Sequence, residues 1–222
     1  MRYTVLVLAA AIAACATKQE RTTDSAAGGM PSDPDVAAHG SGVPSGYNAV
    51  TDDATAQPTS IRYEVSGGSW EITTGPAHIV YASKDTATGQ YTASATFDQL
   101  EAPRHPEAYG IFVGGRDLES PNRSYTYFLV RGNGQYLVKS RQGGDTKDVI
   151  AWSSNAAVPK ADSAGKGTYK LAVRVGSDSV RFLVNEKQVG AVKAGTIATD
   201  GVAGLRVNHN LHVRTSPIAV GR

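Results

Sequence analysis

The chain has 222 residues, 41% of them hydrophobic and 19% charged, with 22 basic against 20 acidic side chains and one cysteine. That length buries a sizeable core without metal or disulfide staples. A net charge of +2 is far below what a nucleic-acid surface carries, and one cysteine excludes an internal disulfide framework and every zinc site built on several cysteines.

Residues 1–15 read MRYTVLVLAAAIAAC, with one positive charge at Arg2, an apolar run from Val5 to Ala14 and then Cys15. The run is shorter than the roughly 20 residues that a membrane-spanning helix needs, and small residues close it as a processing enzyme requires. Ile12-Ala13-Ala14-Cys15 resembles the lipobox of bacterial lipoproteins, which implies that Cys15 is acylated and becomes the new N-terminus. An ordinary secretory signal cut after one of the alanines is the rival reading. Ala16 stands where an aspartate would mark inner-membrane retention, so the expected address is the cell envelope with the outer membrane favoured.

From Ala16 to Ser60, Ser, Thr, Gly, Pro, Asp and Ala dominate and no period of 3.6 or 2 persists, so burial would not offset the entropy of ordering. The expected organisation is a signal peptide over 1–14, a disordered linker carrying lipidated Cys15 over 15–60, and a folded domain over 61–222. A linker of that length and composition spans a root-mean-square distance of about 35–40 Å. It holds 2 basic and 6 acidic side chains, whereas 61–222 holds 19 and 14, so the near-neutral total conceals an acidic tether and a mildly basic head.

Alternation with period two begins at Ile61. Tyr91, Ala93, Ala95 and Phe97 share one face, as do Tyr169, Leu171, Val173 and Val175, and then Val180, Phe182 and Val184. Turn residues separate such runs at Thr88-Gly89, Gly114-Gly115, Gly143-Gly144, Gly176-Ser177-Asp178 and Asp200-Gly201. No helical period of any length intervenes. The pattern predicts an all-β, antiparallel two-sheet sandwich of about a dozen short strands.

The sharpest local prediction is a hairpin over Ser124–Arg141, closed by a two-residue type I′ turn at Asn133-Gly134. Pairing Gly132 with Gln135 then sets Tyr127 opposite Ser140 on one face. Lys139 and Arg141 fall on the other, beside Thr126 and Phe128.

The runs YGIFVGGRDLESPNRSYTYFLVRGNGQYLVKSR (109–141), GTYKLAVRVGSDSVRFLVNEKQVG (167–190) and DGVAGLRVNHNLHV (200–213) resemble bacterial members of the concanavalin A-like lectin/glucanase superfamily. In particular they are similar to the envelope-associated domains grouped with the 3-keto-disaccharide hydrolases. The resemblance covers most of 61–222 and rests on strand-and-turn patterns rather than on a catalytic signature. It implies a jelly-roll sandwich in which one sheet and its loops often hold a saccharide. Fold alone does not carry function.

Chemistry is sparse. The E-x-D-x-x-E strand of the laminarinase-like branch is absent, and Asp117 with Glu119, the nearest pairing, lies between turn residues. No nucleophile elbow, phosphate loop or H-E-x-x-H motif occurs. His209 and His212 lack a nearby third ligand and read as structural or solvent-facing. Loops at Gly143-Gly144-Asp145 and Asp117-Leu118-Glu119 carry oxygens that suit calcium, but no D-x-D-x-D-G run supports it and no cofactor is expected.

Sugar rings stack on aromatic faces while their hydroxyls need polar groups beside those rings. The stretch 109–141 combines Tyr109, Phe112, Tyr125, Tyr127, Phe128 and Tyr136 with Arg116, Asp117, Asn122, Arg123, Lys139 and Arg141, and of these Arg116, Asp117, Asn122, Tyr127, Lys139 and Arg141 are the candidate ligand contacts. Against this, tyrosine and phenylalanine are good strand formers, and alternation turns half of them inward. Trp70 and Trp152 read as core residues. The expectation is a monomeric, lipid-anchored envelope protein whose head binds a glycan or another envelope component without catalysis. The alternatives are a glycosidase using carboxylates from separate strands, and an accessory module that packs against another protein.

Overall fold

The computed structural model describes residues 40–222 except 54, 57–59 and 74. The signal peptide, Cys15 and the first part of the linker lie outside the described residues. Two antiparallel sheets make up the molecule. One has seven strands in the order β1 (Asn48–Thr51), β4 (His78–Ala87), β13 (Gly201–Val207), β6 (Ala108–Arg116), β7 (Ser124–Arg131), β8 (Gln135–Gln142) and β9 (Asp145–Ser154). The other runs β12 (Lys187–Lys193), β11 (Ser179–Val184), β10 (Gly167–Val175), β5 (Tyr91–Gln99), β14 (His212–Thr215), β3 (Ser69–Thr73) and β2 (Tyr63–Ser66), with β15 (Ala219–Gly221) paired to β5. This is the all-β sandwich that the alternation predicts.

The inward positions of both sheets form one core. Phe97, Tyr169 and Phe182 from the eight-stranded sheet meet Tyr109 and Phe128 from the seven-stranded one. Ring pairs such as Phe128–Phe182, 5.3 Å between centroids, tie the layers together. Tyr63 and His78 form a buried polar contact across the layers. The Pro76 carbonyl lies 2.7 Å from Nδ1 and accepts its proton, so Nε2 accepts from the Tyr63 hydroxyl, also at 2.7 Å. Burial holds the His78 imidazole down at about 4, so it is neutral at pH 7.

Two expectations need correction. The folded head starts before residue 61: Val50 pairs with Ile79 as β1 adds to the sheet edge, and Tyr47 meets Trp70 edge-on at 4.5 Å. A four-residue edge strand is too short to show a period. Its isolated apolar residues find their burial on surfaces that other strands supply.

The hairpin register also shifts by one. Arg131 pairs with Gln135, Leu129 with Leu137, Tyr127 with Lys139 and Tyr125 with Arg141. The loop has three residues rather than two. Gly134 N donates to the Arg131 carbonyl and Gly134 alone takes a positive φ of 89°, the pattern of a turn followed by a left-handed glycine. A type I′ turn would also need Asn133 at positive φ. The slip moves Thr126 and Phe128 to the inside and leaves Lys139 and Arg141 on the outside, now beside Tyr125 and Tyr127.

Candidate functional site: the outer face of the seven-stranded sheet

The outward positions of this sheet form a second apolar cluster that receives nothing from the other sheet. Ile79, Tyr81, Ala108, Phe112, Tyr125, Tyr127, Leu129 and Leu137 are all buried there. Gly204 contributes by having no side chain: a Cβ would lie 2.5 Å from the Phe112 ring, which covers it. The result is a floor of rings and aliphatic groups where an ordinary sheet exposes polar residues.

Charged groups converge over this floor. Arg206 on β13 and Arg141 on β8 stand three strand spacings apart, about 14 Å. Both nonetheless reach one carboxylate, that of Asp52. Arg206 donates to both Asp52 oxygens, at 2.9 and 2.5 Å, and Arg141 Nη1 donates to Oδ1 at 3.1 Å. Among the described residues Arg123 Nη2 reaches only the Asp52 backbone carbonyl, at 3.5 Å. The Arg206 guanidinium lies 4.8 Å from the Tyr127 ring centroid and the Tyr125 hydroxyl takes a further donor bond at 3.4 Å. Burial pushes the Asp52 carboxyl up, but the charges of Arg206, Arg141 and Arg123 together outweigh it and hold the group below the ordinary carboxylate range. Burial depresses Arg123, and the like charge of Arg141 adds to that. Beside them Lys139 pairs with Asp148 at 3.2 Å.

At one end of the face the Arg131 guanidinium lies 3.6 Å from the Trp152 ring centroid. Trp152 is half-buried and packs on the outer cluster, not in the core as the sequence suggests. Glu107 follows, accepting from Asn208 Nδ2 at 3.1 Å, with His209 Nε2 3.5 Å away. At the other end a shallow pocket of about 420 Å³ is lined by Asn48, Tyr81, Ser83, Asp117 and Glu119 among others. Glu119 Oε1 accepts from the Tyr81 hydroxyl and from Asn48 Nδ2, both at 3.2 Å.

Of the residues singled out in the sequence, Tyr127, Lys139 and Arg141 come together on this face. Asp117 lines the end pocket from the loop after β6, at a positive φ of 50°. Arg116 closes β6 and donates from Nε to the Asp200 carbonyl at 3.2 Å, and Asn122 is exposed on the following loop. The sequence reading missed Asp52, Arg131, Trp152 and Arg206 as site members. Arg206 carried a usable signal, being the only charged residue in the strand Gly201–Val207. Asp52 carried none, because its partners lie 89 and 154 positions away. His212 stands between Glu71, 2.7 Å away, and Glu101, 3.4 Å away, on the other sheet. Among the described residues no three acidic, histidine or cysteine side chains gather as a metal ion needs.

No family model and no curated protein matches the chain. Solved structures share its fold, an antiparallel sandwich of two sheets. The carbohydrate-binding module CBM66 of Bacillus subtilis superposes with a TM-score of 0.57 at 10% identity, over 80% of this chain and 96% of its own. A Bacillus subtilis protein of unknown function with a galectin-like fold gives 0.56 at 13% identity, over 79% and 88%. A Bacteroides ovatus GH16 protein of a mixed-linkage-glucan locus, solved with its product, gives 0.54 at 9%, over 78% and 94%.

Proposed function

We propose that this protein is an exported envelope lipoprotein, anchored through Cys15, whose sandwich binds a glycan on the outer face of the seven-stranded sheet without cleaving it. The carrying observation is that face itself. Over its buried aromatic floor it sets the half-buried Trp152 with the half-buried Arg123, Arg131, Lys139 and Arg141, the apolar surface and polar tips that sugar rings and hydroxyls require. The carbohydrate-binding module of like fold supports the reading, as does the B. ovatus GH16 structure with its bound product. The anchor and the outer-membrane address rest on Ile12-Ala13-Ala14-Cys15 and on Ala16.

The test is affinity electrophoresis of the full chain, in detergent, against a panel of neutral and acidic polysaccharides, with products followed chromatographically. Retardation without release of sugar is expected. Release of sugar that stops on replacing Asp117 or Glu119 would replace this reading with that of a glycosidase. Absence of all retardation by the folded protein would favour the accessory module. Mass spectrometry of the mature N-terminus tests the anchor, with acylated Cys15 as the expected species.

A further inference from the structure

Around Asp52, on the outer face of the seven-stranded sheet, the charges of the described residues do not balance. Lys139 has Asp148, and Arg206 has both oxygens of Asp52. Arg141 shares one of those same oxygens, while its Nε goes to the Gly143 carbonyl. Arg123 has no carboxylate among the described residues and touches only a backbone oxygen, at the long limit of a hydrogen bond. Three guanidinium groups therefore surround a single carboxylate that Arg206 already occupies on both oxygens.

The setting makes this imbalance costly. Arg206 is buried, while Arg123, Arg141 and Asp52 are half-buried, so water answers the surplus charge only in part. Burial is the main reason the Arg123 guanidinium is depressed, and the like charges of Arg141 and Arg206 add to it. Arg174 and Arg181 on the other sheet also stand directly opposite each other, but both are exposed and water solvates them.

Resting on the glycan-binding reading above, we infer that the glycan is acidic, with a carboxylate or sulfate of the sugar seated against Arg123 and Arg141 beside Asp52. The planar guanidinium fork matches two oxygens of such a group. Neutral hydroxyls would satisfy hydrogen bonds there but leave the surplus charge in place. Asp52 then acts as the chain's own anion in a site with room in its charge for a second.

The experiment compares polygalacturonate with neutral laminarin and levan, using the full-length protein in detergent at low and high salt. Polygalacturonate is expected to bind at least about tenfold more tightly than either neutral polymer, with the preference shrinking as salt rises. Arg123→Gln and Arg141→Gln should each cut polygalacturonate affinity by about tenfold, while Arg174→Gln on the other sheet changes it less than about twofold. Asp52→Asn, which removes the internal anion and keeps the shape, should tighten polygalacturonate binding by about threefold or more. Should Asp52→Asn fail to fold, the two arginine variants and the salt series decide. Binding of the neutral polymers with no acidic preference overturns this inference and leaves glycan binding standing. An equal loss in the Arg123 and Arg174 variants also overturns it. A folded protein that binds none of the three polymers overturns both readings.

Discussion

The two outer surfaces of the sandwich arise from the same alternating backbone and end in opposite states. On the eight-stranded sheet the outward positions of β5, β10 and β11 hold Thr92, Ser94, Thr96, Lys170, Arg174 and Arg181, all exposed or half-exposed. The aromatic residues of its strands, Tyr63, Trp70, Tyr91, Phe97, Tyr169 and Phe182, all lie in the inter-sheet core. On the seven-stranded sheet Tyr81, Phe112, Tyr125 and Tyr127 are buried on the outside, with Trp152 packed against them, and the charges above them form close pairs. A solvated face tolerates unpaired cations because water does the pairing. A face with a dry floor must find partners for its charges, and there half-buried Arg123 has no carboxylate of its own among the described residues.

The largest expected effect sets the faces directly against each other. Arg206→Ala leaves Asp52 half-buried with its main partner gone and should cost about 3–5 kcal/mol in urea unfolding. Arg214→Ala on the other sheet breaks an exposed 2.9 Å pair with Glu71 and should cost less than about 1 kcal/mol. Equal losses would erase the distinction between the faces.

The next effect reads the junction behind them. His78 is held at about 4 in the fold against about 6.5 unfolded, so the folded state takes up its proton later as pH falls. Its contribution is fully present above about pH 6.5, declines between there and about pH 4, and amounts to about 3 kcal/mol. Melting followed across that window should show the loss, and His78→Gln, which keeps one donor and one acceptor, should flatten it. A wild-type protein equally stable at both ends would refute the buried neutral imidazole.

Smaller still, Trp152→Ala should weaken glycan binding about tenfold, equivalent to about 1.4 kcal/mol, in the same electrophoresis assay. Unchanged binding would remove the Trp152–Arg131 end from the site. Smallest of all, Arg174→Thr should stabilise the protein by up to about 0.5 kcal/mol, because it relieves a like-charge pair directly opposite Arg181. Destabilisation there would mean that the exposed face also holds a hidden partner.

Strands with long alternation were legible from the sequence. Tyr91–Phe97, Tyr169–Val175 and Val180–Val184 bury the faces that their spacing predicts, since each apolar residue repeats the signal of the one before. Two features were not. At Gly132-Asn133-Gly134 the same residues suit a two-residue or a three-residue loop, and only packing on both sides of β7 and β8 selects the register. β1 and Asp52 belong to a stretch whose composition resembles a linker, and their partners lie far along the chain. Tyr127, Lys139 and Arg141 were found because they lie within one hairpin. The rest of the site is long-range electrostatics, which local pattern does not encode.

The first described residues grip both sheets at once. Ser41 N donates to the Tyr63 carbonyl and Tyr63 N donates to the Gly42 carbonyl at the edge of the eight-stranded sheet, and β1 then pairs with β4 of the other. Tension arriving along the chain ahead of Gly40 would first strain the bonds to Tyr63, then peel β1 from its Asn48 end. The latch at the far end of that strand is Asp52 under Arg206 and Arg141. A pull on the chain ahead of Gly40 would thus be carried into the arginine cluster at the proposed binding face, so load and ligand would act on the same side chains.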